Sequence, residues 1–233
     1  MDLNRVQQTQ FRVPIRRALI SVADKDRLDV VVRSLWHLVP DLEIYSTGGT
    51  YTAIRAVAEK IGTQDQLLQI SAYTGQPEMQ GGLVKTLDYR IYLGLLSEQF
   101  NPEHQRDLKR TESVPFDLTI CNFYPFEATA ASADATLEDL RTHIDIGGPT
   151  MLRASAKNFL RVAAVCRPED YDSLIDELRA TGGETRLQWR ADQAAIAFRY
   201  TAHYEAAIAG ALGSHVRSTD LTSIYEDSEE AST

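Results

Sequence analysis

Short apolar runs alternate with helical stretches along most of this chain, and that alternation constrains its fold more than any other feature. Residues 18–22 form an apolar run, and the stretch 25–38 after it places Leu28, Val31, Leu35 and Leu38 at helical spacing. Residues 42–45 read as a second strand, closed by the pair Gly48-Gly49 before another helix over 52–60. Strand, glycine turn and helix then repeat. Further strands are predicted at 91–96, 118–121 and 162–166, with helices at 103–109, 137–143, 148–158 and 169–180, and an alanine-rich one over 192–212. The pattern predicts an α/β domain, with a mainly parallel sheet covered by helices on both faces and a helical C-terminal extension. Residues 1–14 read as a polar arm and 15–213 as one domain. Residues 214–233, with the acidic run Glu226-Asp227-Ser228-Glu229-Glu230, read as a solvated, disordered tail.

The 233 residues can bury one substantial core. A net charge of -9 argues against affinity for nucleic acid or an anionic membrane, and leaves room for a small anionic ligand gripped by a few local lysines. Two cysteines, Cys121 and Cys166, build neither a disulfide framework nor a metal cluster, which suits a reducing cytoplasm. Histidines such as His143 and His203 lack metal-ligand spacing, so no metal is expected. The polar first residues carry no signal-peptide core, and no apolar run approaches the ~20 residues that span a bilayer, so a cytoplasmic protein is expected.

The densest chemistry lies in Ile144-Asp145-Ile146-Gly147-Gly148-Pro149-Thr150, followed by Arg153-Ala154-Ser155-Ala156-Lys157-Asn158. A carboxylate stands just before two glycines and a helix. Glycines at a helix start let a ligand approach free backbone N–H groups, which favour negative charge. An acid, an amide nest and a lysine can together move protons and hold an oxyanion. The bland alternatives are a helix cap for Asp145, a solvent-facing Lys157 and a packed core ring for Tyr124.

Companion motifs stand at matching intervals. Leu19-Ile20-Ser21-Val22 precedes Asp24-Lys25, Ser46-Thr47-Gly48-Gly49-Thr50 follows, and Pro77-Glu78-Met79 leads to Gly82-Leu83-Val84-Lys85-Thr86-Leu87. Cys121-Asn122-Phe123-Tyr124-Pro125-Phe126 comes next. In this order the motifs resemble the IMP cyclohydrolase domain of the bifunctional purine-biosynthesis transformylase/cyclohydrolase, over about residues 15–212. The resemblance implies a methylglyoxal synthase-like, three-layer α/β fold. It implies a ring closure in which a carboxamide nitrogen attacks a formyl carbon and water is lost. Lys157 with Asp145 would handle protons, Lys85 with Tyr124 would form a second donor pair, and the N–H groups of Ile146 and Gly147 would hold the oxyanion. Asp24, Lys25, Thr47, Gly48, Gly49, Thr50, Thr86, Cys121 and Asn122 match substrate-binding positions. A homodimer is implied, and no organic cofactor, since a dehydrative closure needs no redox step or group carrier.

The chain also departs from that family. Leu83 stands where the family has an arginine, Asp88-Tyr89 replaces His-Pro, Tyr92 replaces a further histidine, and Ala23 replaces a serine. Losing a guanidinium removes a partner for an anionic group, and an inward Asp88 would repel a phosphate. No counterpart of the transformylase domain follows within the 233 residues, so a stand-alone domain is expected. These departures predict a cyclase repurposed to a specialised-metabolite substrate, such as a non-nucleotide amine or amide closing on a carbonyl. The alternative is a genuine IMP cyclohydrolase. A third reading is a non-catalytic, ligand-binding regulatory domain, because methylglyoxal synthase-like domains also occur as effector-binding modules.

Overall fold

Side chains alternate between two cores along the middle of the sheet: Ala18 and Ile20 point into one and Leu19 into the other, all fully buried. This is the strand period of two acting on a sheet covered on both faces. The computed structural model describes residues 5–76, 86–218 and 221–225. Its main sheet has five parallel strands in the spatial order Leu67–Gln69 (β4), Glu43–Ser46 (β3), Arg17–Ser21 (β2), Leu118–Cys121 (β5) and Ala163–Val165 (β6). Leu19 of β2 stands opposite Tyr45 of β3 and Thr119 of β5. A separate antiparallel pair joins Arg12–Pro14 (β1) to Glu184–Arg186 (β7). Three residues of the expected polar arm are therefore built into the fold.

One face of the sheet is covered by Leu28–Leu38 (α1), Gly48–Ile61 (α2) and Tyr171–Thr181 (α9), through Val31, Leu35, Ile54, Leu174 and Leu178. Against the other lie Ile70–Thr74 (α3), Tyr89–Leu96 (α4), Gly147–Lys157 (α8) and Leu187–Ser218 (α10). The connecting helices are Pro102–Arg110 (α5), Phe126–Ala130 (α6) and Leu137–Thr142 (α7). The result is the three-layer α/β fold expected. Along α10, Arg190, Gln193, Ala194, Ala197, Thr201, Tyr204 and Ile208 are buried, which is the 3–4 spacing of one helical face. Arg190 is 0% exposed and donates to the carbonyls of Gln10, Phe159, Leu160 and Thr185, tying the N-terminal arm to the start of this helix.

Two expectations need correction. The predicted strand 91–96 is helix α4. A six-residue apolar run suits either structure, and two neighbours decide it. Asp88 Oδ1 accepts the Arg90 N–H at 2.7 Å as an N-cap, and Gly94 lets the helix lie against the Val114 carbonyl and the Phe116 ring. Secondly, α10 continues to residue 218, past the expected end at 212 and into the segment read as tail. The acidic run 226–230 lies outside the described residues. Among the described residues no helix is long and apolar enough to cross a membrane.

From the central β2 the chain moves outward to β3 and β4, then crosses to the other side for β5 and β6. Adjacent loops diverge at the carboxyl ends of β2 and β5, leaving the crevice that such a reversal opens.

Candidate active site

That crevice is a cleft of about 690 Å³. At one end, the loop after β2 bends over the start of α2. Two buried side chains hold the bend. Asn122 Oδ1 accepts the N–H groups of Ala23 (2.7 Å) and Asp24 (2.9 Å), while its Nδ2 donates to the Asp24 carbonyl at 3.0 Å. The Thr50 hydroxyl accepts the Val22 N–H at 3.1 Å and donates to the Val22 carbonyl at 2.9 Å. Thr47 Oγ1 meets Ser21 Oγ at 2.9 Å, and the Asp24 carboxylate accepts the Asp26 N–H at 2.9 Å.

This bend places Lys25 over the first turn of α2. Its Nζ donates to the Ala23 carbonyl at 3.3 Å and would lie 4.0 Å from a Cβ built on Gly49. Thr47 does not cap the helix with its side chain, so the first-turn N–H groups of Gly48 and Gly49, residues that line the same cleft as Lys25, have no intrahelical acceptor. A cation beside a helix N-terminus is an anion seat. Among the described residues, Lys25 is the one lysine lining the cleft.

At the other end stand Tyr124 and Asp145. Phe123 is buried at 4%, whereas Tyr124 is 53% exposed and its ring borders the cleft, so the packed-ring alternative fits Phe123 instead. Asp145 is half-buried, and its Oδ1 accepts the Gly148 N–H at 3.0 Å. It therefore satisfies one first-turn N–H of α8 from the residue before the N-cap Ile146, and Asp145 also lines the cleft. The two glycines after it are required by close approach. A Cβ on Gly147 would fall 2.6 Å from Thr86 Oγ1, and one on Gly148 would fall 2.6 Å from Asp145 Oδ2 and 2.9 Å from Phe123 Cδ1. Ile146, 59% exposed, forms part of the rim.

Asp24, Lys25, Thr47, Gly48, Gly49, Thr50, Thr86, Asn122, Tyr124, Asp145, Ile146 and Gly147 thus share one cleft. Thr50 and Asn122 direct their polar groups into the loop rather than into the opening. Several predicted residues lie elsewhere. Lys157 is the last residue of α8, exposed, and about 15 Å along the helix axis from Gly147 at 1.5 Å per residue. No Asp145–Lys157 pair forms, because ten helical steps carry the lysine to the opposite end of α8. Cys121 is 1% exposed beneath the cleft, with its Sγ donating to the Gly148 carbonyl at 3.6 Å and burial pushing its thiol well up.

Of the departures from the family, Ala23 lines the cleft, whereas Asp88, Tyr89 and Tyr92 sit away from the opening. Asp88 is 7% exposed and serves as the α4 cap, so it does not face the seat of an anion. Tyr89 is 60% exposed on the surface. Tyr92 packs against the second core with its hydroxyl buried, and burial, with Cys121 and Asp145 nearby, pushes it up to about 12. Leu83 and Lys85 lie outside the described residues. Sequence reasoning missed Tyr200 and Tyr204 of α10, whose hydroxyls accept the N–H groups of Phe123 (3.4 Å) and Asp145 (2.8 Å). Their spacing of one helical turn on a buried face was the available signal. Among the described residues no three His, Cys, Asp or Glu side chains gather as a metal site.

Comparison with known proteins places these features in context. The family described as MGS-like domain matches residues 30–150, and the AICARFT/IMPCHase bienzyme family matches residues 155–231. The bifunctional purine biosynthesis protein PurH of Rhodospirillum rubrum is 44% identical over 196 residues, covering 84% of this chain and 36% of its own length. PurH of Nostoc punctiforme is 41% identical over 197 residues, with 84% and 37% covered. The chain spans little more than a third of these curated relatives. The crystal structure of ForH shares the fold at a TM-score of 0.70 and 29% identity, covering 84% of this chain and 98% of that one.

Proposed function

This chain belongs to the MGS-like domain family, and from that premise we propose that it is a cyclohydrolase-type cyclase closing a ring with loss of water. One observation carries the reading: a single cleft joins an anion seat, built by Lys25 and the start of α2, to an acid, a phenol and a second helix N-terminus. An anionic group held at the first end would bring an attached nitrogen and carbonyl to the second. Holding both in a near-attack geometry accounts for much of the acceleration.

The nitrogen forms a bond to the carbonyl carbon, whose oxygen becomes negative as it does so. N–H groups at the start of α8, near Gly147, receive that charge in this reading. Asp145 accepts a proton from the nitrogen and returns one to the departing hydroxyl. The carbonyl oxygen leaves as water with two hydrogens from the nitrogen, and no electrons are exchanged. Tyr124, open to the cleft, is a second donor for the same oxygen.

The substrate is an anionic precursor outside the purine pathway, a reading motivated by Leu83 where the family has arginine. The anion seat argues for a phosphate-bearing precursor over the non-nucleotide one the sequence suggested, since Asp88 caps α4 instead of entering the cleft. A second reading, IMP cyclohydrolase, is favoured by the placement of Asp88, Tyr89 and Tyr92 outside the cleft lining. The purified protein offered the formylated aminoimidazole carboxamide ribonucleotide separates the two. Efficient conversion to IMP selects the second reading. Weak conversion, with faster closure of another phosphorylated amide–carbonyl precursor, selects the first. Asp145→Asn is expected to lower kcat by ~10²–10⁴. Binding of these compounds without turnover would leave a regulatory domain.

A further inference from the structure

Two tyrosines one turn apart on α10 reach the cleft from behind. Tyr204 is 7% exposed, and its hydroxyl accepts the Asp145 N–H at 2.8 Å and donates to the His143 carbonyl at 3.5 Å. It bridges the bend that carries the acid. Tyr200 accepts the Phe123 N–H at 3.4 Å, at the residue before Tyr124. The Phe123 ring lies between the two, with centroids 4.8 Å from Tyr200 and 5.0 Å from Tyr204. The same ring bounds Gly148 on its other side. One helix therefore grips both loops by a backbone group at, or next to, each residue that faces the cleft.

We propose that Tyr204 and Tyr200 are positioning residues, whose hydroxyls set the Asp145 loop and the Tyr124 loop at a fixed separation across the cleft. The assignment rests on the cyclase reading for what the two loops do, but the geometry it describes does not. Ring packing alone needs no hydroxyl, since phenylalanine fills the same space. Here Tyr204 directs both its acceptor and its donor capacity into residues 143–145, and a buried hydroxyl with partners on one loop holds that loop. Burial raises both phenols, Tyr200 to about 12, so each stays protonated through the neutral range. A misplacement of ~1 Å at reacting groups costs about 100-fold, so a hydroxyl that never touches substrate can still govern turnover.

The test compares Tyr204→Phe, Tyr200→Phe and the double variant with the unaltered protein. Amide hydrogen exchange, read residue by residue, is expected to quicken about tenfold at Asp145 in Tyr204→Phe, with Gly48 to Thr50 unchanged. Tyr200→Phe is expected to quicken exchange at Phe123, by less because its bond is longer. With a substrate that turns over, Tyr204→Phe should lower kcat about tenfold and change KM less than about twofold. In an Asp145→Asn background it should lower kcat no further, because the group it positions is already gone. Unchanged exchange at Asp145 overturns the proposal, and so does an undiminished kcat or an additive loss when Tyr204→Phe is combined with Asp145→Asn. If no substrate turns over, the cyclase reading fails, and the exchange data alone decide whether these hydroxyls hold the loops.

Discussion

Replacing Gly148 by alanine tests how tightly the acid loop is built. The added methyl would fall 2.6 Å from Asp145 Oδ2 and 2.9 Å from Phe123 Cδ1, both inside normal contact. Phe123 has little room to move, because Tyr200 and Tyr204 flank its ring. The carboxylate must swing instead, which breaks the 3.0 Å bond from Gly148 N–H to Oδ1. Losing that cap costs ~1 kcal/mol, and residual overpacking ~1–3 kcal/mol. Removing a glycine from the unfolded chain offsets ~0.4–1 kcal/mol. The net expectation is destabilisation by about 1–3.5 kcal/mol, or a fall in Tm of roughly 2–14 °C at about 2–4 °C per kcal/mol. Gly210→Ala is the control. Gly210 lies in α10 with nothing within 4 Å of an added Cβ, so its variant should gain ~0.5–1 kcal/mol. Urea unfolding and thermal melts of both variants read the difference. If Gly148→Ala proved as stable as Gly210→Ala, the packing argument for this loop would be wrong.

Three further outcomes follow from the same structure. Lys25→Ala should weaken binding of a nucleoside monophosphate such as IMP about 10–100-fold and flatten its salt dependence, measured by titration calorimetry at two ionic strengths; equal affinities would remove the anion seat. Burial alone would push Glu177 up, but the side-chain and backbone donors of Arg186 outweigh it and hold its carboxyl below the usual range. Its stabilisation is therefore complete above about pH 4.3 and lost as pH falls through the lower folded value, so Glu177→Gln should be less stable at neutral pH and should flatten that acid limb. Cys121 and Cys166 are each 1% exposed with thiols raised by burial, Cys166 to about 12, so neither should react with an aromatic disulfide reagent until the protein unfolds. Prompt labelling of native protein contradicts this.

The parallel strands, the helices between them and the loops that meet at one sheet edge were legible because each arises from neighbours in sequence. Leu118–Cys121 was read to the residue, and the loops holding Lys25, Gly48, Tyr124 and Asp145 follow from strand ends and glycines. The apolar stretch 91–96 was misread because six apolar residues suit either period, and only Asp88 and the Gly94 contact with Val114 and Phe116 decide for a helix. Tertiary structure alone revealed that Thr50 and Asn122 clamp a loop and that α10 supports both cleft loops. Those relations join groups up to 99 residues apart. Local propensity carries no information about them. Chain pattern settles most of the elements and the sheet edge on which their loops emerge, whereas an ambiguous apolar run such as 91–96 and the pairing of side chains across that edge are settled by how the layers pack.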